Sequence, residues 1–366
     1  MTEALLARTF DLSEDGSRRL TRNNFDLLRL LFAATVCLVH SAYLSGYQVL
    51  AGLVGFLSGP AAVKAFFVVS GFLIFMSYER STSLASYASK RIRRIYPAYV
   101  TVVVLCAVLL AAVSSQTLGD YFSLGWLKYL AANLVFLNFL QPTLPGVFAS
   151  NTMAEVNGAL WTLKIEVMFY LAVPLFGYLF KRFSLFWVLL LTYCLSVAYS
   201  AVLATVAERT GAGIYVQLGR QLPGQLCYFM AGAFLYYFRA LFERRIAYFM
   251  LLAVVVLLID SIYALPLFEP FALASVVVFF GLFLYVGNFG KYGDFSYGVY
   301  IIHVPVIQLA MHWHWFHDSP WQFLAAVTVI TTSAAIALWH LVEKRFLLRG
   351  SHYVASNAAS GGRAAG

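Results

Sequence analysis

The chain has 366 residues, 61% of them hydrophobic and only 11% charged, with a formal net charge of +9. An average soluble domain is about 25% charged, and apolar runs recur here from residue 25 to 346. These features exclude a soluble fold with one anchor and indicate a polytopic membrane protein, in which basic residues between the runs read as topology and attraction to anionic headgroups, not as a nucleic-acid surface.

Residues 1–22 are polar and basic and are expected to be a mobile tail. The first apolar run, 25–46, reads FDLLRLLFAATVCLVHSAYLSG. It is long enough to cross a bilayer as a helix, and too long for a cleavable signal. Arg29 and His40 stand eleven residues apart within it. At about 100° per residue they return to nearly one face, with His40 about 16 Å deeper. Taken singly, Arg29 reads as a snorkelling cation and His40 as polar glue between helices. Together on one face they point to a functional site, because ionisable groups at that depth are costly.

Ten further candidate segments follow: 61–78, 97–113, 126–140, 161–180, 184–205, 221–238, 246–262, 270–287, 296–316 and 321–343. Lys and Arg cluster in the N-terminal tail, at 80–94, at 181–182, at 239–245 and at 344–349, and the positive-inside rule puts all of these in the cytoplasm. That parity requires the short segment 126–140 to start and end on one side, as a re-entrant or interfacial helix. The expected fold is therefore all-α, with about ten transmembrane helices and both termini cytoplasmic. Residues 23–348 form the membrane domain, and the Ala-, Gly- and Ser-rich stretch 349–366 forms a disordered tail. No internal repeat is evident, so a transporter built from inverted halves has no support. Cys37, Cys106, Cys194 and Cys227 all lie in apolar segments without paired spacing, and read as small buried hydrophobes.

Several constellations along these segments are candidates for chemistry. In AFFVVSGFLIF, 65–75, Ser70 and Gly71 are small residues among bulky ones, which close helix packing explains. In KRIRRIYPAY, 90–99, Arg91 and Arg94 share a helical face before Pro97. They form either a positive-inside anchor or a guanidinium fork for phosphates. WTLKIEVMFY, 161–170, opens with Trp161 and places Lys164 and Glu166 inside the membrane. A carboxylate there needs a partner, and His40 or Arg29 across a helix interface suits it better than Lys164 on another face. A histidine whose far nitrogen is oriented by a carboxylate is a common general base.

In SYGVYIIHVP, 296–305, the ring of Pro305 frees the carbonyl of Ile301, and His303 serves either that kink or the chemistry. Glu343 at the cytoplasmic edge is expected to pair with basic residues. MHWHWFH, 311–317, reads as an interfacial aromatic belt rather than a metal site, and no metal is expected. No glycine-rich phosphate loop, G-x-S-x-G or H-E-x-x-H occurs, which removes the usual soluble hydrolase and ATPase readings.

The order of these motifs over residues 24–346 resembles the bacterial membrane acyltransferase-3 family, whose members O-acylate sugars of exopolysaccharide, lipopolysaccharide, peptidoglycan, nodulation factors and macrolides. The resemblance implies that Arg29 and His40 are essential for acyl transfer, with Glu166 as the acidic residue after the Trp motif. It implies that Arg91 and Arg94 bind the acyl-CoA donor or form the site's cytoplasmic mouth. Many members carry two acids where this chain has Glu166 followed by Val167 and Met168, a departure that argues against a two-carboxylate mechanism.

The expected protein is an inner-membrane O-acyltransferase using cytosolic acetyl-CoA. His40 serves as base or transient acyl carrier, Glu166 fixes its tautomer, and Arg29, Arg91 and Arg94 hold the donor. Ser70, Trp161, Lys164, His303 and Glu343 are supporting candidates. Expected partners are acyl-CoA, a glycan or lipid-linked oligosaccharide acceptor, membrane lipids, and polysaccharide synthesis or export proteins, with no nucleic acid. The rival readings are a proton-coupled exporter, with His40 and Glu166 as relay, and an accessory subunit of a polysaccharide assembly system.

Overall fold

The structure is a computed structural model that describes residues 19–348. Residues 1–18 of the expected N-terminal tail and the whole of the tail at 349–366 lie outside the described residues, whereas 19–21 are helical. The described chain is all-helical, without a strand. Backbone polar groups in hydrocarbon must be satisfied within the protein, and a helix does this without a neighbouring segment.

Among the described residues, eleven helices reach ten residues or more. They are α1 (Phe25–Ser45), α2 (Gly59–Glu79), α3 (Leu84–Leu109), α4 (Leu124–Leu134), α5 (Trp161–Arg182), α6 (Leu185–Thr210), α7 (Leu222–Tyr237), α8 (Ile246–Asp260), α9 (Glu269–Leu282), α10 (Ser296–His312) and α11 (Pro320–Leu338). Each falls on one of the apolar segments expected from the sequence. Six are long and apolar enough to cross a bilayer, within Arg19–Ser45, Gly59–Glu79, Leu84–Val113, Gly158–Arg182, Leu185–Thr210 and Pro320–Phe346. The other four of the ten expected crossings (α7, α8, α9 and α10) run only 14 to 17 residues. At about 1.5 Å per residue they fall short of a hydrocarbon core of about 30 Å. α7 and α10 are also buried along most of their length, as all-round apolar helices in a protein core are.

α4 is the short segment singled out by charge parity, and at 11 residues it is too short to cross. It lies against α3 through its buried face. Tyr99 Oη donates to the carbonyl of Asn133, and Trp126 Nε1 donates to the carbonyl of Ala107.

The chain forms two compact units, each gathered from separated segments. The first takes residues 19–28, 64–87 and 165–288. Its centre is aromatic, with Phe75 against Phe176, Phe180, Phe229 and Tyr237, and Phe169 stacked on Phe229 at 4.2 Å. Here α2 and α7 cross almost backbone to backbone. A Cβ on Gly71 would lie 1.9 Å from the carbonyl oxygen of Phe229, and one on Gly232 would lie 2.1 Å from that of Val68. The small residue in the SGF motif therefore serves close packing, as expected, with half-buried Ser70 beside it. Cys194 departs from the expectation of burial, since it sits on the exposed face of α6; only Cys37 and Cys227 are fully buried.

The second unit takes 29–63, 88–164 and 289–348. It contains most of α1 and α3, the connection carrying α4, and α10 and α11.

Candidate active site

Within the second unit α1 and α10 touch at two levels. At the first, Arg29 Nη1 lies 2.5 Å from Asp294 Oδ2, just before α10 begins. At the second, His40 Nδ1 lies 2.8 Å from His303 Nε2. Both numbers rise together, so the two helices run in the same direction. The eleven residues from Arg29 to His40 and the nine from Asp294 to His303 each put the histidines roughly 14–16 Å beyond the ion pair at about 1.5 Å per residue.

The first level is a buried ion cluster. Arg94, the eleventh residue of α3, gives Nη2 to Asp294 Oδ2 and Nη1 to Glu343 Oε2 at 3.2 Å. Asp294 is 2% exposed. Its other oxygen, Oδ1, accepts from the backbone N–H and the hydroxyl of Ser296, a local turn that leads the chain into α10. Burial opposes ionisation of Asp294, but the Arg29 and Arg94 guanidiniums and the Ser296 donors outweigh it and hold the carboxyl well below the usual carboxylate range. Glu343 ends a single π turn, Trp339–Glu343, that widens the end of α11. Gly293, at φ +127°, receives Trp339 so closely that a Cβ there would meet its indole nitrogen at 2.3 Å, so only glycine serves. The cluster thus joins the second turn of α1, the middle of α3, the residue pair leading into α10 and the π turn that follows α11.

The second level is a pair of imidazoles. Their planes differ by 9°, so the nitrogens face one another nearly in plane. His303 is fully buried, and its Nδ1 lies 3.2 Å from the carbonyl of Val299, one turn back. The kink beside it is satisfied separately: the Ile301 carbonyl that Pro305 frees accepts from Asn157 Nδ2 at 2.8 Å. The stretch 151–162 is also tied to both helices at several points. Thr152 donates to the carbonyl of Leu44, Gln308 donates to those of Met153 and Glu155, and Thr162 bonds Tyr300.

Of the residues expected at the site, the structure joins His40 with His303, and Arg29 with Arg94 and Glu343 through Asp294. The expected pairing of Glu343 with a basic residue is present. Arg91 is half-buried one turn before Arg94. Lys164 rests its ammonium 4.4 Å above the Phe139 ring, and Trp161 opens α5 half-buried. In the first unit, Glu166 Oε1 accepts from Tyr170 within its own helix at 2.5 Å.

Asp294 escaped the sequence reading. The available signal was an acid placed two residues before an apolar run, in a chain with only 16 acids against 25 basic residues. Such an acid needs a cationic partner.

A family model described as an acyltransferase domain matches residues 22–340. An O-acetyl transferase of Shigella phage Sf6 is 31% identical over 348 residues, spanning 90% of this chain and 97% of that protein. Nodulation protein 10 of Rhizobium leguminosarum bv. viciae is 27% identical over 359 residues, spanning 88% and 92%. No solved structure matches the chain.

Proposed function

The chain belongs to the acyltransferase-3 family, and from that membership we propose that it is an inner-membrane O-acetyltransferase. The donor in this reading is acetyl-CoA from the cytosol, and the acceptor is a hydroxyl of an exopolysaccharide, lipopolysaccharide or related glycan. The observation that carries it is His40, an imidazole within an apolar helix, held by His303 through one ring nitrogen. The similarity to a protein named O-acetyl transferase supports the choice of group.

A thioester is already activated, so the residues must deprotonate an acceptor hydroxyl and steady the oxyanion that forms. His40 is the proposed base. Arg91 meets the donor's phosphates from the cytosol, while Arg94, bound to two carboxylates, anchors that basic turn and, with Arg29 and Asp294, frames the mouth.

Arg29 in the N-terminal part of α1, Asp294 before α10 and Glu343 after α11 meeting in one cluster with Arg94 support the parity of ten crossings. In that reading α7, α8, α9 and α10 complete the six span-length helices, and both termini are cytoplasmic.

Purified full-length protein is given radiolabelled acetyl-CoA and an oligosaccharide acceptor, and free CoA thiol and labelled glycan are measured. Both rise with the parent chain, and neither rises with His40→Ala, which inserts and expresses normally. An unchanged thiol signal with the parent chain removes the enzyme reading in favour of an exporter or an accessory subunit.

A further inference from the structure

We propose that His303 is a positioning residue that sets the tautomer of His40, leaving His40 Nε2 as the proton-accepting atom. The inference rests on the acyltransferase reading above and adds the identity of the reacting nitrogen.

The hydrogen-bond network assigns the protons in sequence. The carbonyl of Val299 only accepts, so His303 Nδ1, 3.2 Å away, carries a hydrogen and donates it. A neutral imidazole protonated at Nδ1 presents a bare Nε2. His303 is fully buried, where an uncompensated charge is disfavoured, and its Nε2 is the atom that faces His40. At 2.8 Å that contact requires one donor, so the hydrogen belongs to His40 Nδ1. Neutral His40 then keeps its lone pair on Nε2. The partner here is a neutral ring and not a carboxylate, which distinguishes the arrangement from a His–acid dyad.

The transfer step balances on this assignment. The acceptor hydroxyl oxygen forms a bond to the thioester carbonyl carbon while its proton passes to His40 Nε2. The imidazolium so formed still donates its Nδ1–H to His303. When the tetrahedral adduct collapses, the carbon–sulfur bond breaks and the thiolate takes the proton from Nε2, leaving the ester, free thiol and neutral His40.

Two replacements separate orientation from packing. His303→Gln retains an acceptor oxygen for His40 Nδ1–H, whereas His303→Phe retains bulk and removes the acceptor. The full chain in detergent is labelled with nitrogen-15 at histidine, and the His40 signals are identified by their loss in His40→Asn. The parent spectrum is expected to show His40 protonated at Nδ1 and bare at Nε2. His303→Phe is expected to mix the two tautomers and lower kcat roughly 100-fold with KM for acetyl-CoA unchanged, the scale of general-base assistance. His303→Gln is expected to recover most of that loss.

A parent His40 protonated at Nε2 overturns the proposal. So does a folded His303→Phe chain with parental kcat, or a His303→Gln chain that has the parental tautomer but is as slow as His303→Phe. If His303→Phe does not fold, the parent spectrum and the His303→Gln rate decide. A chain with the expected tautomer that releases no thiol from acetyl-CoA refutes the enzyme reading while leaving the proton assignment standing.

Discussion

Asn157 donates its side-chain N–H to the carbonyl of Ile301 at 2.8 Å, replacing the backbone donor that Pro305 lacks. The bond joins the connection after α4 to the helix that carries His303. It also leads to a test by double-mutant cycle. Asn157→Ala is expected to destabilise the folded chain by about 1–3 kcal/mol, the cost of stranding a buried polar group. In a Pro305→Ala background the restored backbone N–H reaches Ile301, so the same Asn157→Ala change costs less. Thermal unfolding in detergent measures both, and equal costs in the two backgrounds refute the link.

Asp294 balances two guanidiniums at once. Asp294→Asn leaves Arg29 without its carboxylate partner and Arg94 with one fewer, at an expected cost of about 3–5 kcal/mol. The pH dependence follows from the depressed native pKa. Stabilisation from this group is complete above its unfolded value of about 3.9, and is lost as pH falls from there through the lower native value. Melting temperature of the parent chain is expected to fall below about pH 4 more steeply than that of Asp294→Asn. Parallel acid profiles count against the cluster.

Arg91 and Arg94 are three residues apart, and Arg94 bonds both Asp294 and Glu343. Arg94→Lys replaces a planar fork with a point charge that does not span Asp294 and Glu343 together. The expected loss is about 1.5–3 kcal/mol, that of one charged hydrogen bond, seen as a lower melting temperature. Arg91→Gln is expected to raise KM for acetyl-CoA. Steady-state kinetics showing the reverse pattern assign the donor contact to Arg94.

The crossing of α2 and α7 tolerates no side chain at its two glycines. Gly71→Ala and Gly232→Ala each force backbone apart and are expected to cost at least about 1–3 kcal/mol. Ser70→Ala beside them is expected to stay within about 0.5 kcal/mol. Protease resistance of the detergent-solubilised protein ranks the three, and an equal ranking contradicts the close approach.

Much of this was legible in one dimension. The eleven apolar runs, the shared face of Arg29 and His40, the tight packing at Gly71, the carbonyl freed at Ile301 and the need of Glu343 for a cation all follow from local rules. Backbone self-satisfaction in an apolar medium makes each run a helix whatever its neighbours do, and helical periodicity then fixes which residues share a face. What answered each need did not follow. His40 meets a histidine 263 residues away, Arg29 an aspartate 265 away, and Ile301 an asparagine 144 back. Glu166 accepts from Tyr170 one turn along its own helix. Charge and hydrogen-bonding capacity say that a buried polar group must be paired. Which partner it receives depends on how helices distant in sequence pack and in which direction they run, and only the tertiary structure decides that.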